Sequence, residues 1–376
     1  MDVTTKSGSQ PPSSPPQRRL FTVLDLDGHA DPSTDPGLDS ALVRSIYEGM
    51  LRTRLVDARL MKLQRQGRIG FHVGSEGEEA AIIAATAALR DQDWIFPCYR
   101  EWGAALFRGW PLQSYFDNMY GNANDVVQGR QMPDHITARA VHFGSITAPI
   151  GTQITQAVGF AWAAKIKRQE LVTATFFGDG ATSSNDFHAG MNFAGVYQLP
   201  TLFLLRNNGW AISVPADRQT HSRTYADKGV GYGVPALRVD GNDALAVYAA
   251  TRQALARATE GGGPTLLELI TYRAGAHSTS DDPTAYREKG ELESQLKRDP
   301  LRRLRKHLEL LSGWSDQEEK RFEGEVYAEL QTCIERAEAA PAPPIASMFE
   351  QVFEHTPEHL REQQRECVSG PRARKH

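Results

Sequence analysis

Leu171-Val-Thr-Ala-Thr-Phe-Phe177 and Thr201-Leu-Phe-Leu-Leu205 are the segments from which the architecture of this chain can be predicted. Each is a short apolar run, which predicts a buried strand. Between them, Ser183, Ser184 and Asn185 are suitable helix caps. The helix predicted behind these caps carries an apolar stripe of Phe187, Met191 and Ala194. Since parallel neighbouring strands need a crossover of this kind, the sequence predicts a βαβ unit and an α/β fold.

Polar residues follow both predicted strands directly. Gly178-Asp179-Gly180 comes after the first strand and Asn207-Asn208 after the second. The carboxyl ends of parallel strands form the usual ligand crevice of an open sheet, so Asp179 and Asn208 are expected to meet there. Carboxylate and amide oxygens suit Mg²⁺, and the glycines beside Asp179 let the backbone approach a phosphate. A lone Gly-Asp-Gly would indicate an ordinary turn, but the paired motifs predict a site for Mg²⁺ and a diphosphate.

Composition and charge narrow the class of protein. The chain has 376 residues, of which 40% are hydrophobic, enough to bury one large α/β core. Its net charge of -4, without a sustained basic stripe, argues against a nucleic-acid partner. No run of about 18 apolar residues occurs, so no membrane span is predicted. Cys98, Cys333 and Cys367 lack metal-site spacing, and their odd number favours a reduced, cytoplasmic setting.

Further helices are predicted on both sides of the βαβ unit. The first carries an apolar stripe of Leu42, Ile46, Met50 and Leu51. A second helix is expected near Ser75, which fits a capping box with Glu78. A late helix has the same signature at Ser315 and Glu318 and stops before Pro341. Its core-facing stripe is predicted to comprise Phe322, Val326, Leu330 and Cys333.

The spaced motifs together resemble the α subunits of 2-oxo acid dehydrogenase E1 components, with the greatest similarity to the branched-chain group. The resemblance runs from about residue 40 to the 350s. Apart from Gly178-Asp179-Gly180, it is carried by Tyr99-Arg-Glu101, Gly129-Arg-Gln-Met-Pro133, Thr152-Gln153, Arg206-Asn-Asn-Gly209, Ala211-Ile-Ser213 and His277-Ser-Thr-Ser-Asp-Asp282. It implies a thiamine diphosphate-binding fold, with a mostly parallel sheet, helices on both faces, and helical N- and C-terminal extensions.

Four segments are predicted on this basis. Residues 1–36 are rich in Ser, Pro, Gly and Gln, which predicts a flexible arm that buries too little apolar surface to become ordered. This arm has no apolar core of a signal peptide, and its prolines argue against a mitochondrial transit helix. Residues 37–300 are expected to form the thiamine diphosphate-binding α/β domain. Residues 301–340 are expected to form a helical extension, and 341–376 a partly flexible tail.

The resemblance also assigns site residues. It implies that Mg²⁺ is held by Asp179, Asn208 and the backbone carbonyl of Trp210. It assigns His277 to a catalytic role beside the diphosphate, where it assists acyl transfer to a lipoyl group. The remaining cofactor-binding residues that it implies are Tyr99, Arg100, Ile150, Gly180, Ala181 and Arg206. The arginines among them suit bidentate phosphate contacts.

A K⁺ site is implied by a second matching segment. Its residues are Thr147, Pro149, Thr152 and Gln153. Where relatives often carry Ser-Ser-Pro-Leu, this chain has Thr147-Ala-Pro-Ile150, so that Ala148 offers no side-chain hydroxyl. Ile150 retains an apolar surface for the cofactor rings.

The implied activity is oxidative decarboxylation of a small 2-oxo acid, with transfer of the acyl group to the lipoyl group of an E2 acyltransferase. Thiamine diphosphate supplies the electron sink that loss of CO₂ requires. The family takes one essential glutamate from a β subunit, so this chain is expected to act only in an α₂β₂ heterotetramer. Two alternatives remain at this point: a pyruvate or acetoin dehydrogenase α subunit, and a noncatalytic α-like scaffold.

Overall fold

The computed structural model describes residues 19–288 and 290–370, and these residues form seven strands and thirteen α-helices. The strands are β1 Trp94–Phe96, β2 Thr173–Gly178, β3 Thr201–Asn207, β4 Trp210–Ala211, β5 Val214–Pro215, β6 Ala236–Asp240 and β7 Thr265–Ile270. The helices are α1 Ser40–Arg65, α2 Glu79–Ala88, α3 Trp102–Phe107, α4 Leu112–Tyr120, α5 Thr152–Ile166, α6 Asn185–Tyr197, α7 Asp227–Val230, α8 Ala244–Thr259, α9 Glu291–Leu296, α10 Pro300–Ser312, α11 Asp316–Ala339, α12 Ser347–Glu350 and α13 Glu358–Ser369. The outer ends of the predicted arm and tail, residues 1–18 and 371–376, lie outside the described residues.

Five strands form one sheet in the order β1-β2-β3-β7-β6, and every neighbouring pair is parallel. β2 and β3 are adjacent, with Gly178 opposite Arg206, and α6 forms the crossover between them. The Ser184 side chain caps α6 by accepting a hydrogen bond from the backbone N–H of Phe187. The predicted βαβ unit is therefore confirmed. β4 and β5 form a short antiparallel hairpin after β3.

Alternate side chains of the central strands enter two different apolar cores, as a pleated strand requires. On β3, Leu202 and Leu204 pack on one face with residues of α1, α2, α8, α10 and α11. Phe203 and Leu205 pack on the other face with residues of α5 and α6. A parallel sheet covered on both faces confirms the predicted fold class. Along residues 19–288 and 290–370, the structure contains no helix with both the length and the apolar character needed to cross a membrane.

The first described segment differs from the predicted flexible arm. The backbone of Phe21 pairs with β6, the last strand of the sheet, at Val239. The carboxylate of Asp243 accepts hydrogen bonds of 2.7 Å from the backbone N–H groups of Val23 and Leu24, and both side chains are buried. This segment is ordered despite its composition, because a strand edge and a buried carboxylate provide partners for its backbone, so few apolar residues suffice to order it.

Replacing Asp243 with Asn tests this attachment. Oδ2 of Asp243 accepts from both N–H groups, and Oδ1 accepts from the backbone N–H of Ala246. Asparagine has one acceptor oxygen, which carries no charge, so it satisfies fewer of these donors and binds them more weakly; we expect a loss of about 1 to 2 kcal/mol in the attachment of residues 20–36. Limited proteolysis within this segment should become about 5- to 30-fold faster. The matched control is Asp31→Asn in the same segment, since Asp31 is exposed and its side chain bonds only to Ser33. Equal cleavage rates in the two variants would contradict the assignment.

The other predicted helices are also present, but one of the two predicted capping boxes is not. α1 and α11 carry the predicted stripes, and Ser315 and Glu318 form the predicted capping box. The capping box predicted at Ser75 and Glu78 is wrong, because α2 begins at Glu79 and Glu78 makes no side-chain capping bond. The carboxylate of Glu78 lies instead against Arg206 and Asn208, in the site described next.

Candidate active site

A cavity of about 570 Å³ opens at the carboxyl ends of β2 and β3. All the residues predicted to bind the cofactor line it: Tyr99, Arg100, Ile150, Asp179, Gly180, Ala181, Arg206, Asn208, Trp210 and His277. These side chains come from separate parts of the chain and meet because the parallel sheet brings the loops that follow its strands to one edge. Phe71, Val73 and Met132 add apolar surface that the sequence analysis did not identify.

Asp179 lies at the end of β2 with only 1% of its surface exposed. One of its carboxylate oxygens accepts a hydrogen bond from the side-chain amide of Gln219. Burial raises the pKa of Asp179 to about 6, although the bond from Gln219 acts in the opposite direction. A side chain on Gly178 would meet no atom within 4 Å, so the turn presents open backbone to the cavity. A Cβ on Gly180, in contrast, would lie 2.8 Å from Ala211 of the hairpin.

Asn208 lies at the end of the neighbouring strand and is held at both ends of its side-chain amide. Its Nδ2 donates to the Oε1 of Glu78 at 3.0 Å. Its Oδ1 accepts from the backbone N–H of Trp210 at 3.1 Å. The hairpin formed by β4 and β5 begins at Trp210, so the amide is fixed to two separate elements. Asp179 and Asn208 are thus the polar pair at adjacent strand ends that the sequence predicted.

Two arginines on the cavity wall are balanced by buried carboxylates. Arg206 is 1% exposed and forms ion pairs with both Glu78 and Glu101. Arg100 donates to the backbone carbonyl of His277 at 2.8 Å, and its Nε lies 3.8 Å from Glu78. Burial alone would raise the pKa of Glu78, but the nearby guanidinium groups hold it below its usual value. Since a buried charge is costly without a partner, these carboxylates allow the arginines to remain charged next to the cavity.

The roles of three of these residues were not predicted from the sequence. Glu78 was assigned to a capping box, and Glu101 and Gln219 were given no function. Two arginines buried at the predicted phosphate site require carboxylate partners, so the presence of such partners could have been expected. No spacing pattern identifies which acidic residues supply them, since Glu78 and Arg206 are far apart in the sequence.

His277 lies on the loop that follows β7, where hydrogen bonds fix its position. Its backbone N–H donates to the carboxylate of Asp281 at 2.6 Å, and the same carboxylate accepts from the Tyr286 hydroxyl at 2.6 Å. The ring of Tyr99 meets the imidazole edge-on, with 5.9 Å between the ring centroids. The loop therefore holds the imidazole at the cavity wall.

The charge state of His277 follows from its surroundings. Burial is the main cause that lowers the pKa of His277, to about 4, and the positive charges of Arg100 and Arg273 lower it further. The imidazole Nδ1 lies 3.1 Å from a guanidinium nitrogen of Arg100. A neutral imidazole can accept a hydrogen bond at this nitrogen, whereas an imidazolium would oppose the arginine charge. At neutral pH the side chain is therefore uncharged.

The residues assigned to the K⁺ site lie around the start of α5 and not on the cavity wall. Thr147 and Pro149 are in the preceding loop, where the Thr147 hydroxyl lies 3.5 Å from the Pro149 carbonyl oxygen. Thr152 and Gln153 are the first residues of α5, and the Gln153 amide donates to the Phe176 carbonyl at 3.0 Å. The assignment of these residues to K⁺ stays a prediction.

Comparison with known proteins identifies the family to which the chain belongs. Residues 47–346 match the dehydrogenase E1 component family. The mitochondrial 2-oxoisovalerate dehydrogenase subunit alpha of Bos taurus is 42% identical over 347 residues, which cover 92% of this chain and 76% of the relative. Its counterpart from Pseudomonas aeruginosa is 41% identical over 354 residues, covering 92% and 86% of the two chains. The Arabidopsis thaliana mitochondrial subunit alpha 1 is 41% identical over 357 residues, covering 94% and 75%. The resemblance to 2-oxo acid dehydrogenase E1 α subunits is confirmed, and the chain belongs to the dehydrogenase E1 component family.

Proposed function

We propose that this chain is the α subunit of a thiamine diphosphate-dependent E1 enzyme that decarboxylates branched-chain 2-oxo acids and acylates the lipoyl group of an E2 acyltransferase. The observation that carries the proposal is the meeting of Asp179, Asn208, Arg206 and His277 in one cavity at the sheet edge. The carboxylate and amide oxygens suit Mg²⁺, and the guanidinium group suits a phosphate. Family membership supports thiamine diphosphate as that cofactor.

The donor set fits a diphosphate that binds through Mg²⁺. Asp179 and Asn208 supply hard oxygen ligands from adjacent strand ends, and the backbone carbonyl of Trp210 is the third ligand in this proposal. Mg²⁺ binds few protein ligands directly and fills its octahedral shell with phosphate oxygens and water. The open space beside Gly178 leaves room for the phosphates.

The remaining side chains hold and surround the cofactor. Arg100 and Arg206 offer planar guanidinium groups to the phosphate oxygens. Ile150 and Tyr99 offer apolar and aromatic surface to the rings. When it is bound, thiamine diphosphate supplies the electron sink needed for decarboxylation. His277, neutral and fixed at the cavity wall, is placed to exchange a proton during acyl transfer to the lipoyl group.

The proposed assembly is an α₂β₂ heterotetramer, in which a β subunit completes the site and the lipoyl-bearing E2 receives the acyl group. K⁺ at Thr147, Pro149, Thr152 and Gln153 belongs to the same proposal, since hydroxyl and carbonyl oxygens suit a hard cation. A cytoplasmic location also stays a prediction, because the relatives differ on this point. The Bos taurus and Arabidopsis thaliana relatives are named as mitochondrial, and the Pseudomonas aeruginosa relative is not.

Substrate preference follows the relatives, all three of which are named for 2-oxoisovalerate. This favours a branched-chain substrate over pyruvate or acetoin. One methylene group in an apolar pocket changes binding by only about 1 to 3 kcal/mol, so we expect measurable but weaker turnover of shorter 2-oxo acids.

The test is to titrate thiamine diphosphate and Mg²⁺ into the chain coexpressed with its β subunit, and to assay 4-methyl-2-oxopentanoate, 3-methyl-2-oxobutanoate and pyruvate. We expect cofactor-dependent turnover that favours the branched substrates, and negligible turnover by the α chain alone. Full turnover without β would contradict the assembly. A preference for pyruvate would contradict the substrate assignment. An α/β pair that binds no cofactor would indicate the noncatalytic scaffold.

A further inference from the structure

Glu78 makes contacts that go beyond charge balance at the proposed metal site. It is fully buried, and its two carboxylate oxygens serve two different donors. Oε2 pairs with the guanidinium of Arg206, while Oε1 accepts from Nδ2 of Asn208 at 3.0 Å. The oxygen at the other end of the same amide accepts from the backbone N–H of Trp210 at 3.1 Å. Asn208 is thus clamped between a buried carboxylate and the backbone of the hairpin.

These partners permit only one orientation of the Asn208 amide. A carboxylate can only accept hydrogen bonds and a backbone N–H can only donate one. A 180° flip would place the amide oxygen against the carboxylate of Glu78 and the amide NH₂ against the N–H of Trp210. In the observed orientation Oδ1 keeps a second lone pair, which is free for a cation.

We propose that Glu78 is a positioning residue for the metal site: it holds the NH₂ end of the Asn208 amide and thereby fixes the oxygen that binds Mg²⁺. This inference rests on the proposed function, because it requires that the site binds Mg²⁺ with the cofactor. Outer partners that orient metal ligands typically change metal affinity about 10- to 100-fold when they are replaced.

Glu101 provides a matched control. It is also fully buried and also pairs with Arg206, but its second oxygen accepts from the backbone N–H of Cys98 at 2.7 Å. Glu78→Gln and Glu101→Gln therefore each remove one negative charge beside Arg206, and Glu78→Gln also removes the charge that lies 3.8 Å from Nε of Arg100. In Glu78→Gln, the single remaining oxygen cannot accept from both Arg206 and Asn208. We expect this oxygen to accept from the charged guanidinium of Arg206, so that the NH₂ group of the new glutamine faces the NH₂ group of Asn208.

The experiment uses the full chain with its β subunit and saturating thiamine diphosphate, with Mn²⁺ as a paramagnetic substitute for Mg²⁺ that takes the same oxygen ligands. Binding is measured by the loss of the free Mn²⁺ signal in electron paramagnetic resonance. Glu78→Gln should weaken Mn²⁺ binding about 10- to 100-fold, and Glu101→Gln less than about threefold. Equal losses in the two variants would overturn the inference, since they would indicate a shared effect through Arg206.

Two further sets of proteins distinguish a folding defect, a wrong role for Glu78 and a wrong proposed function. If Glu78→Gln does not fold, Glu78→Asp and Glu101→Asp replace the first pair. Both substitutions keep the negative charge that balances Arg206. We expect Glu78→Asp to weaken Mn²⁺ binding about tenfold, because its side chain is shorter, and Glu101→Asp to have no such effect. Equal losses in this pair would also overturn the inference. The wild-type complex and Asp179→Asn test the proposed function itself. Absence of thiamine diphosphate-dependent Mn²⁺ binding in the wild type would overturn that function, whereas normal wild-type binding with an unaffected Glu78→Gln would overturn only the role of Glu78.

Discussion

Asp179→Asn should weaken the apparent Mg²⁺ affinity of the α/β complex by at least about 100-fold, more than replacement of an outer partner does. The substitution preserves the shape of the side chain, and an amide oxygen can still accept the hydrogen bond from Gln219. What is lost is the one negative charge that the chain is proposed to contribute directly to the cation. Quenching of tryptophan fluorescence during Mg²⁺ titration in the presence of thiamine diphosphate measures the change, since Trp210 lines the cavity.

A suitable control for this prediction is Asp186→Asn. Asp186 lies in the first turn of α6, after the same strand, and is not among the residues that line the cavity. We expect its replacement to leave Mg²⁺ affinity within about threefold of the wild-type value, because the substitution removes a charge that does not contact the proposed cation and interacts with it only weakly. If Asp179→Asn also stays within this range, the carboxylate does not bind the cation and the proposed site is wrong.

Replacing His72 with Leu should destabilise the folded chain by about 3 to 5 kcal/mol. His72 is fully buried, with Nε2 2.8 Å from Asp57 and Nδ1 3.2 Å from Asp134. Burial alone would lower the pKa of His72, but the two carboxylates raise it to about 10. Leucine would leave two buried carboxylates without their shared cation. Chemical denaturation at pH 6.5 measures the loss in free energy of unfolding.

The same pKa shift predicts how this loss depends on pH. The folded-state pKa of His72 lies above the ordinary value of 6.5, so its stabilisation is complete below pH 6.5 and disappears as the pH rises toward 10. The difference in stability between wild type and His72→Leu should therefore be largest near pH 6.5. Between pH 6.5 and pH 10, this difference in stability should decrease by up to about 1.4 kcal/mol per pH unit.

His135→Leu is the comparison for His72→Leu. His135 is also buried, but within residues 19–288 and 290–370 its Nδ1 has one hydrogen-bond partner, the backbone carbonyl of Pro133 at 3.0 Å. Loss of one hydrogen bond of this kind should cost about 1 to 2 kcal/mol. If the two variants lose the same stability, or if the loss for His72→Leu does not decrease with rising pH, the charged His72 cluster does not stabilise the fold.

The βαβ unit could be predicted because every local signal agreed. β2 and β3 are apolar runs, Ser184 is a good helix cap, and the polar residues follow each strand directly. Parallel pairing of β2 and β3 then places Asp179 beside Asn208, and this placement does not depend on the other elements of the fold. The resemblance to a family added residues such as Tyr99 and His277, whose approach to the same edge no local pattern reveals.

Other features could not be predicted because long-range contacts decide them. Glu78 has the spacing of a capping box with Ser75, but its carboxylate pairs instead with the buried guanidinium of Arg206, since a charged partner is stronger than a neutral backbone N–H at the start of α2. Residues 20–36 have the composition of a flexible segment, yet the carboxylate of Asp243 orders them. In each case a buried charge outweighs the local propensity, and its partner is remote in the sequence.

The most direct measurement is a crystal structure of the α/β complex with thiamine diphosphate and Mn²⁺, with data collected to give anomalous scattering from manganese. We expect one strong anomalous peak bonded to the Asp179 carboxylate, the Asn208 Oδ1 and the diphosphate of the cofactor. A peak elsewhere, or cofactor bound in this cavity without a cation at these two side chains, would contradict the account.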